Sequence, residues 1–187
     1  KLVTHHWGAN WNKGFDIYKK IDDLLSENRF NSLFEFNFIG RTPDNLKFKN
    51  SNIISPKSGE ELSNEIKKNH FYITGSINEP SGNHHIEAAQ CGLPILYIES
   101  GGITEYCEGY GINYTINNLE EKLYYALENC EKYYDIVTNY PRNADLMSEE
   151  FLVFFNELLS NKEDLIASRS TKPKSLFKKY FYNFRHK

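Results

Sequence analysis

The run FYITGSINEPSGNHHIEAAQCGLPILYI, residues 71–98, decides the fold. Phe71-Tyr72-Ile73-Thr74 reads as an apolar strand, and Gly75 to Gly82 as a polar loop rich in turn-forming residues. A helix is expected from about His84 to Cys91, ended by Gly92 and Pro94. Ile95-Leu96-Tyr97-Ile98 follows as an unbroken apolar run, the pattern of a parallel strand covered on both faces. Strand, helix and buried strand in this order make one crossover unit.

The flanks continue the alternation. Leu2 to His6 reads as a strand, followed by a polar loop from Gly8 to Gly14. From there Phe15, Ile17, Tyr18, Ile21, Leu24 and Leu25 fall at helical spacing. Phe34 to Ile39 alternates strictly and predicts a strand that stops at Gly40. Asn52-Ile53-Ile54 is a short strand stopped by Ser55-Pro56, and a helix opening near Ser58 places Leu62 and Ile66 on one face. Gly101-Gly102 turns the chain, residues 111–115 suit a last strand, and helices are expected near 119–130, 133–140 and 146–160. The class is α/β, a doubly wound parallel sheet. Ligands of such sheets sit at the carboxyl ends of the strands. Those ends collect His5 and His6 to Gly14, Gly40-Arg41, Ser55-Pro56, Gly75 to His85 and Ser100 to Glu105 on one edge.

Composition removes several alternatives. With 40% hydrophobic and 25% charged residues in 187, the chain is neither disordered nor embedded in a membrane, and no apolar run approaches the ~20 residues of a membrane span. Cys91, Cys107 and Cys130 are an odd, widely spaced set with no CxxC pair, which argues against a disulfide scaffold and for a reducing compartment, hence the cytoplasm. Charge divides the chain. Of 22 cations, seven lie between Arg169 and Lys187 with no acid among them, so residues 1–168 hold 15 cations against 25 acids, a net −10. A body of that sign is a poor partner for nucleic acid. The expected organisation is a binding domain over 1–168 and a basic tail over 169–187.

The chemistry concentrates between Glu79 and Pro94. Gly82 lets a ligand approach the backbone, and the amides of Gly82, Asn83 and His84 stand at a helix start, where free N–H groups favour an anion such as a diphosphate. Two carboxylates, Glu79 before the helix and Glu87 one turn inside it, would repel a phosphate alone. They make sense as acceptors for vicinal hydroxyls, one pair on a ribose and one on a sugar, and a nucleoside diphosphate sugar supplies all three groups.

On these residues the segment resembles the donor-binding signature of retaining glycosyltransferases of family 4, whose GT-B architecture has two Rossmann-like halves facing a cleft. The family pattern is Glu, seven residues, Glu, then Ala-x-x-x-Gly-x-Pro; Glu79, Glu87, Ala88, Gly92 and Pro94 match it. Lys13-Gly14 resembles the family's Lys-Gly, Ile39-Gly40-Arg41 its second-strand turn, and Gly101-Gly102-Ile103-Thr104-Glu105 its Gly-Gly-x-x-Glu. The resemblance implies that Glu79 holds hydroxyls of the donor sugar and Glu87 those of the ribose. It further implies that Lys13 meets the diphosphate, that Gly82, Asn83 and His84 meet sugar or phosphate oxygens, and that the loop from Ile54 to Lys57 selects the base. No metal or other cofactor is implied. The expected activity is transfer of a sugar from a nucleoside diphosphate sugar with retention of configuration; the rivals are a non-catalytic nucleotide-binding or interaction module and a sugar-nucleotide epimerase. Two departures stand out. His6-Trp7 replaces the family's Gly-Arg, leaving a phosphate-binding duty open among Asn10, Asn12 and the histidines. An acceptor-binding half, which precedes this part in the family, is expected as a missing partner.

The remaining features have plainer readings. His5-His6 and His84-His85 invite a metal, but neighbours on a strand point to opposite faces, so each pair offers one ligand easily. Tyr124, Tyr125, Tyr133 and Tyr134 read as packing aromatics and Cys91 as a small buried residue in a helix. In the tail, Leu176, Phe177, Tyr180, Phe181 and Phe184 form one apolar stripe flanked by Lys178, Lys179 and Arg185. Such a basic amphipathic helix suits an anionic membrane surface, which would place the protein at the inner face of the membrane, or packing on the missing half.

Overall fold

The computed structural model describes residues 1–169, so the tail stripe from Leu176 onward lies outside the described residues. The chain divides into two compact units, Lys1–Asn143 and the residues from Ala144 onward. The sequence placed its boundary later, at residue 168.

In the first unit six strands form one sheet: β1 (Leu2–His6), β2 (Phe36–Gly40), β3 (Asn52–Ile54), β4 (Phe71–Thr74), β5 (Ile95–Tyr97) and β6 (Gly111–Asn113). Their order is β3-β2-β1-β4-β5-β6 and every pairing is parallel, a Rossmann-like α/β fold. The order reverses between β1 and β4, where a doubly wound sheet opens a crevice. There the ladder is short. β1 pairs with β2 along all five residues, from Leu2↔Phe36 to His6↔Gly40, but with β4 only at Leu2↔Phe71 and Val3↔Tyr72. Beyond Val3 the two strands part, and the crevice begins.

Alternation along each strand sorts the core into two layers. Leu2, Phe36, Phe38, Phe71, Ile73 and Leu96 pack on one side of the sheet with Phe15, Tyr18 and Ile21 of α1 (Phe15–Leu24) and Leu119 and Leu123 of α6 (Leu119–Glu128). Val3, Ile39, Tyr72, Ile95 and Tyr97 pack on the other with α3 (Gly59–Ile66), α4 (Asn83–Gln90) and α5 (Ile103–Cys107). The period that buries Leu2 and Val3 on opposite faces also sends His6 toward α1 and His5 toward α4.

Some boundaries differ from those read in the sequence. β2 begins at Phe36, because Phe34 ends the turn after the short α2 (Asn28–Asn31): its amide bonds the Phe30 carbonyl and its ring stacks on Phe30 at 4.5 Å. The helix expected from residue 133 begins earlier, as α7 (Cys130–Thr138), abutting α6 through Asn129. Cys91 is the half-buried residue capping the end of α4 and not a buried helical residue; the buried cysteine is Cys107, whose thiol burial pushes up to about 12. The second unit contains α8 (Ala144–Ser160) and α9 (Lys162–Ser168), neither of which buries a residue. Among the described residues no helix is long and apolar enough to cross a membrane.

Candidate functional site

The sheet's carboxyl edge brings the expected residues to the β1–β4 crevice from three chain segments. Glu79 lies in the loop after β4. That loop is held open by its neighbours: the Gly102 amide bonds the Glu79 carbonyl at 2.8 Å, Ser100 Oγ accepts the Asn78 amide at 2.8 Å, and the Asn12 carbonyl accepts the Ile77 amide at 2.8 Å. Gly101 has a φ of +59° and packs so closely that a Cβ there would stand 2.3 Å from the Glu79 carbonyl oxygen. The sequence read Gly101-Gly102 as a turn; the structure adds that this turn shapes the backbone carrying Glu79. Asn78 itself adopts a φ of 55°, a conformation asparagine tolerates better than most residues.

On the other side of the crevice, Lys13 ends a 3-10 turn (Trp11–Lys13), and Gly14 follows at a φ of +93° against Gly75, where a Cβ would stand 2.4 Å from backbone carbon. This close approach joins the β1 and β4 loops and aims Lys13 at Glu79: Lys13 Nζ donates to Glu79 Oε2 at 2.5 Å. Their side chains are 25% and 17% exposed, so the pair is shielded but reachable.

Gly82 is the N-cap of α4 and no side chain caps that helix, while Asn83 opens its first turn in solvent. The helix amides at this end therefore lack a side-chain partner and present partial positive charge. Glu87, one turn further, accepts a hydrogen bond from His5 Nε2 at 2.8 Å. That bond holds its carboxyl below the usual range, against the opposing effect of burial.

Between these groups the crevice is filled by imidazoles and hydroxyls. The His6 and His84 ring centroids are 4.9 Å apart, as are those of His84 and His85. The Tyr18 hydroxyl accepts bonds from the Gly75 amide at 3.1 Å and from Thr4 Oγ1 at 3.2 Å. Its own proton then goes to His6 Nε2, 2.7 Å away. Thr74 Oγ1 lies 2.8 Å from His84 Nε2. Burial drives His6 and His84 well below the ordinary imidazole value, helped by the neighbouring histidines and Lys13, and brings His85 down to about 4 against the pull of Glu79 and Glu87. At neutral pH these three rings are uncharged. Among the described residues no group of three or more His, Cys, Asp or Glu side chains could hold a metal ion.

Gly40, Arg41 and Ile54 stand further along the same edge. Gly40 ends β2 opposite His6, Arg41 is exposed just beyond it, and Ile54 ends β3 half-buried in register with Ile39. A small cleft beside Gly40 is lined by His5, His6, Trp7, Pro56 and Lys57. Sequence reasoning did not find the His5–Glu87 bond or the Tyr18 and Thr74 anchors. The partners are far apart in the chain, and only the side of the sheet on which α1 and α4 pack brings them together.

The fold is a Rossmann-like domain with a polar crevice at the switch point of its sheet. Solved structures share the architecture. HepE of Anabaena in complex with UDP-glucose matches with a TM-score of 0.62 and 17% identity over 87% of this chain and 48% of its own. The pneumococcal O-GlcNAc transferase GtfA in complex with UDP and GlcNAc matches with a TM-score of 0.60 and 18% identity over 84% and 35%. WaaG, a glycosyltransferase involved in lipopolysaccharide biosynthesis, matches with a TM-score of 0.60 and 18% identity over 74% and 41%. The chain thus spans less than half the length of each of these proteins. No protein-family model and no curated protein matches the sequence.

Proposed function

We propose that this chain is the donor-binding half of a retaining glycosyltransferase that uses a nucleoside diphosphate sugar. The observation that carries the reading is the placement of Glu79 and Glu87 on either side of the uncapped α4 N-terminus, at the sheet's switch point, with Lys13 bonded to Glu79. The fold likeness to HepE with UDP-glucose and to GtfA with UDP and GlcNAc supports it.

In this reading Glu87 accepts the ribose hydroxyls, Glu79 accepts hydroxyls of the sugar, and the amides of Gly82 to His84 receive phosphate or sugar oxygens. Lys13 turns from Glu79 to the diphosphate. The exchange frees Glu79 for the sugar and places a cation beside the leaving group, where negative charge grows as the glycosidic bond breaks. Charge neutralisation is assigned to Lys13 and the helix dipole, with no metal or cofactor required. Because His6, His84 and His85 are neutral, they serve as hydrogen-bonding groups and not as countercharges. An acceptor-binding half completes the enzyme, and the isolated donor half transfers sugar slowly or not at all. The three free cysteines fit action in the cytoplasm.

Calorimetric titration with UDP, GDP, ADP and dTDP, repeated with Glu87→Ala, tests the reading. One diphosphate is expected to bind at micromolar concentration, and Glu87→Ala to weaken it by ~1.5–3 kcal/mol, the value of hydrogen bonds to a charged group. Equal affinity in the variant removes Glu87 from the site, and failure of all four to bind overturns the proposal.

A further inference from the structure

We propose that His5 is the positioning residue for Glu87, fixing the carboxylate in the orientation that receives the ribose; the inference rests on the donor-site reading above. His5 is the fourth residue of β1 and, by strand alternation, faces α4. Its side chain is 5% exposed, whereas that of Glu87 is 50% exposed, so the bond ties a half-exposed carboxylate to a buried ring. The backbone of His5 is fixed in turn. Where the β1–β4 ladder ends, the Tyr72 hydroxyl takes its place, accepting the His5 amide at 3.2 Å and donating to the His5 carbonyl at 3.4 Å.

The other ring nitrogen, Nδ1, is buried with no hydrogen-bond partner. An unpaired buried nitrogen costs stability, and an aliphatic residue would fill this place on the strand without that cost. Among the described residues the ring's one side-chain hydrogen bond is that to Glu87, made at Oε2. A carboxylate has two acceptor oxygens with about four lone-pair sites, so Oε1 and the second lone pair of Oε2 remain for a vicinal pair of hydroxyls. Fixing the rotamer before binding also removes a side-chain ordering cost from association.

The test uses the full chain and whichever nucleoside diphosphate binds it most tightly, compared with the 2′,3′-dideoxy form of the same nucleotide. His5→Leu keeps bulk and removes the donor. His5→Gln restores a donor the same number of bonds from Cβ as Nε2. The expected result is that His5→Leu loses about tenfold in affinity for the ribose form, equivalent to ~1.4 kcal/mol, with less than a twofold change for the dideoxy form. His5→Gln is expected to recover most of the loss. If His5→Leu does not fold, His5→Asn, whose amide stops one bond short, must show the same selective loss. A loss equal for both ligands would mean a purely structural role and overturns the inference, as does the absence of any loss. Binding that is sensitive to Glu87→Ala but not to His5→Leu overturns this inference alone, whereas no nucleotide binding by the unsubstituted chain overturns the donor-site reading with it.

Discussion

Two buried polar clusters in the first unit behave in opposite ways. Asp22, on α1, is buried, and its carboxylate is filled: Oδ1 accepts the Asn50 amide at 2.8 Å and Ser51 Oγ at 2.6 Å, and Oδ2 accepts the Lys49 amide at 2.9 Å. Asn50 Nδ2 also bonds the Asp22 carbonyl at 2.8 Å. The carboxylate thereby fastens the loop before β3 to α1. In the crevice between β1 and β4, His5, Ser76 and His85 are equally buried, yet His5 Nδ1, Ser76 Oγ and both nitrogens of His85 have no partner. Its one lysine is bonded to the very glutamate that the proposed donor would need. A polar cluster built for stability satisfies its groups, because each unmet one costs free energy. Where groups stay unmet beside a helix N-terminus, the arrangement suits a ligand better than a fold support.

Acid should separate the two clusters most strongly. His6, His84 and His85 have folded values below that of an unfolded imidazole, near 6.5, so below that pH the unfolded chain binds protons that the native chain refuses, and stability falls as pH falls. Between pH 7 and 5.5 the expected loss is on the order of 1 kcal/mol for each ring, a few kcal/mol for the three. Urea denaturation at both pH values measures it, and a flat profile would mean that the rings are already charged or solvated.

Asp22→Ala comes next. It leaves two amides and a hydroxyl without their acceptor and should cost ~3 kcal/mol of stability, with nucleotide affinity of the folded protein unchanged. A variant that loses affinity in proportion to stability would erase the contrast between the clusters. The smallest effect is expected for Tyr18→Phe, which removes the acceptor of the Gly75 amide and the partner of His6, for about 1 kcal/mol in the same denaturation assay. A loss of several kcal/mol there would show that Tyr18 serves the fold in the way Asp22 does.

Much of the fold was legible in the chain. The unbroken Ile95-Leu96-Tyr97 run, the spacing of Phe15, Ile17, Tyr18 and Ile21, and the glycine and proline stops gave the strand–helix alternation with its elements close to place. Short elements escaped: α2, α5 and α9 are too brief to show a period, and Phe34 alternates like a strand residue while belonging to a turn. The candidate site was legible where it is local. The seven residues between Glu79 and Glu87 carry a loop and one helical turn, so their spacing alone sets two carboxylates about an amide-lined helix start.

The sequence by itself determined the period of each element, the charge of each segment and the residues around the α4 N-terminus, because these depend on neighbours a few positions apart. Only the tertiary structure decided which layer each helix joins, and with it the pairing of His5 with Glu87, of Lys13 with Glu79 and of Tyr18 with His6. The physical reason lies in the sheet. Alternation fixes that His5 and His6 face opposite ways, but the direction of each crossover, the side on which α1 and α4 pack and the point where β1 parts from β4 are set by burying both faces at once.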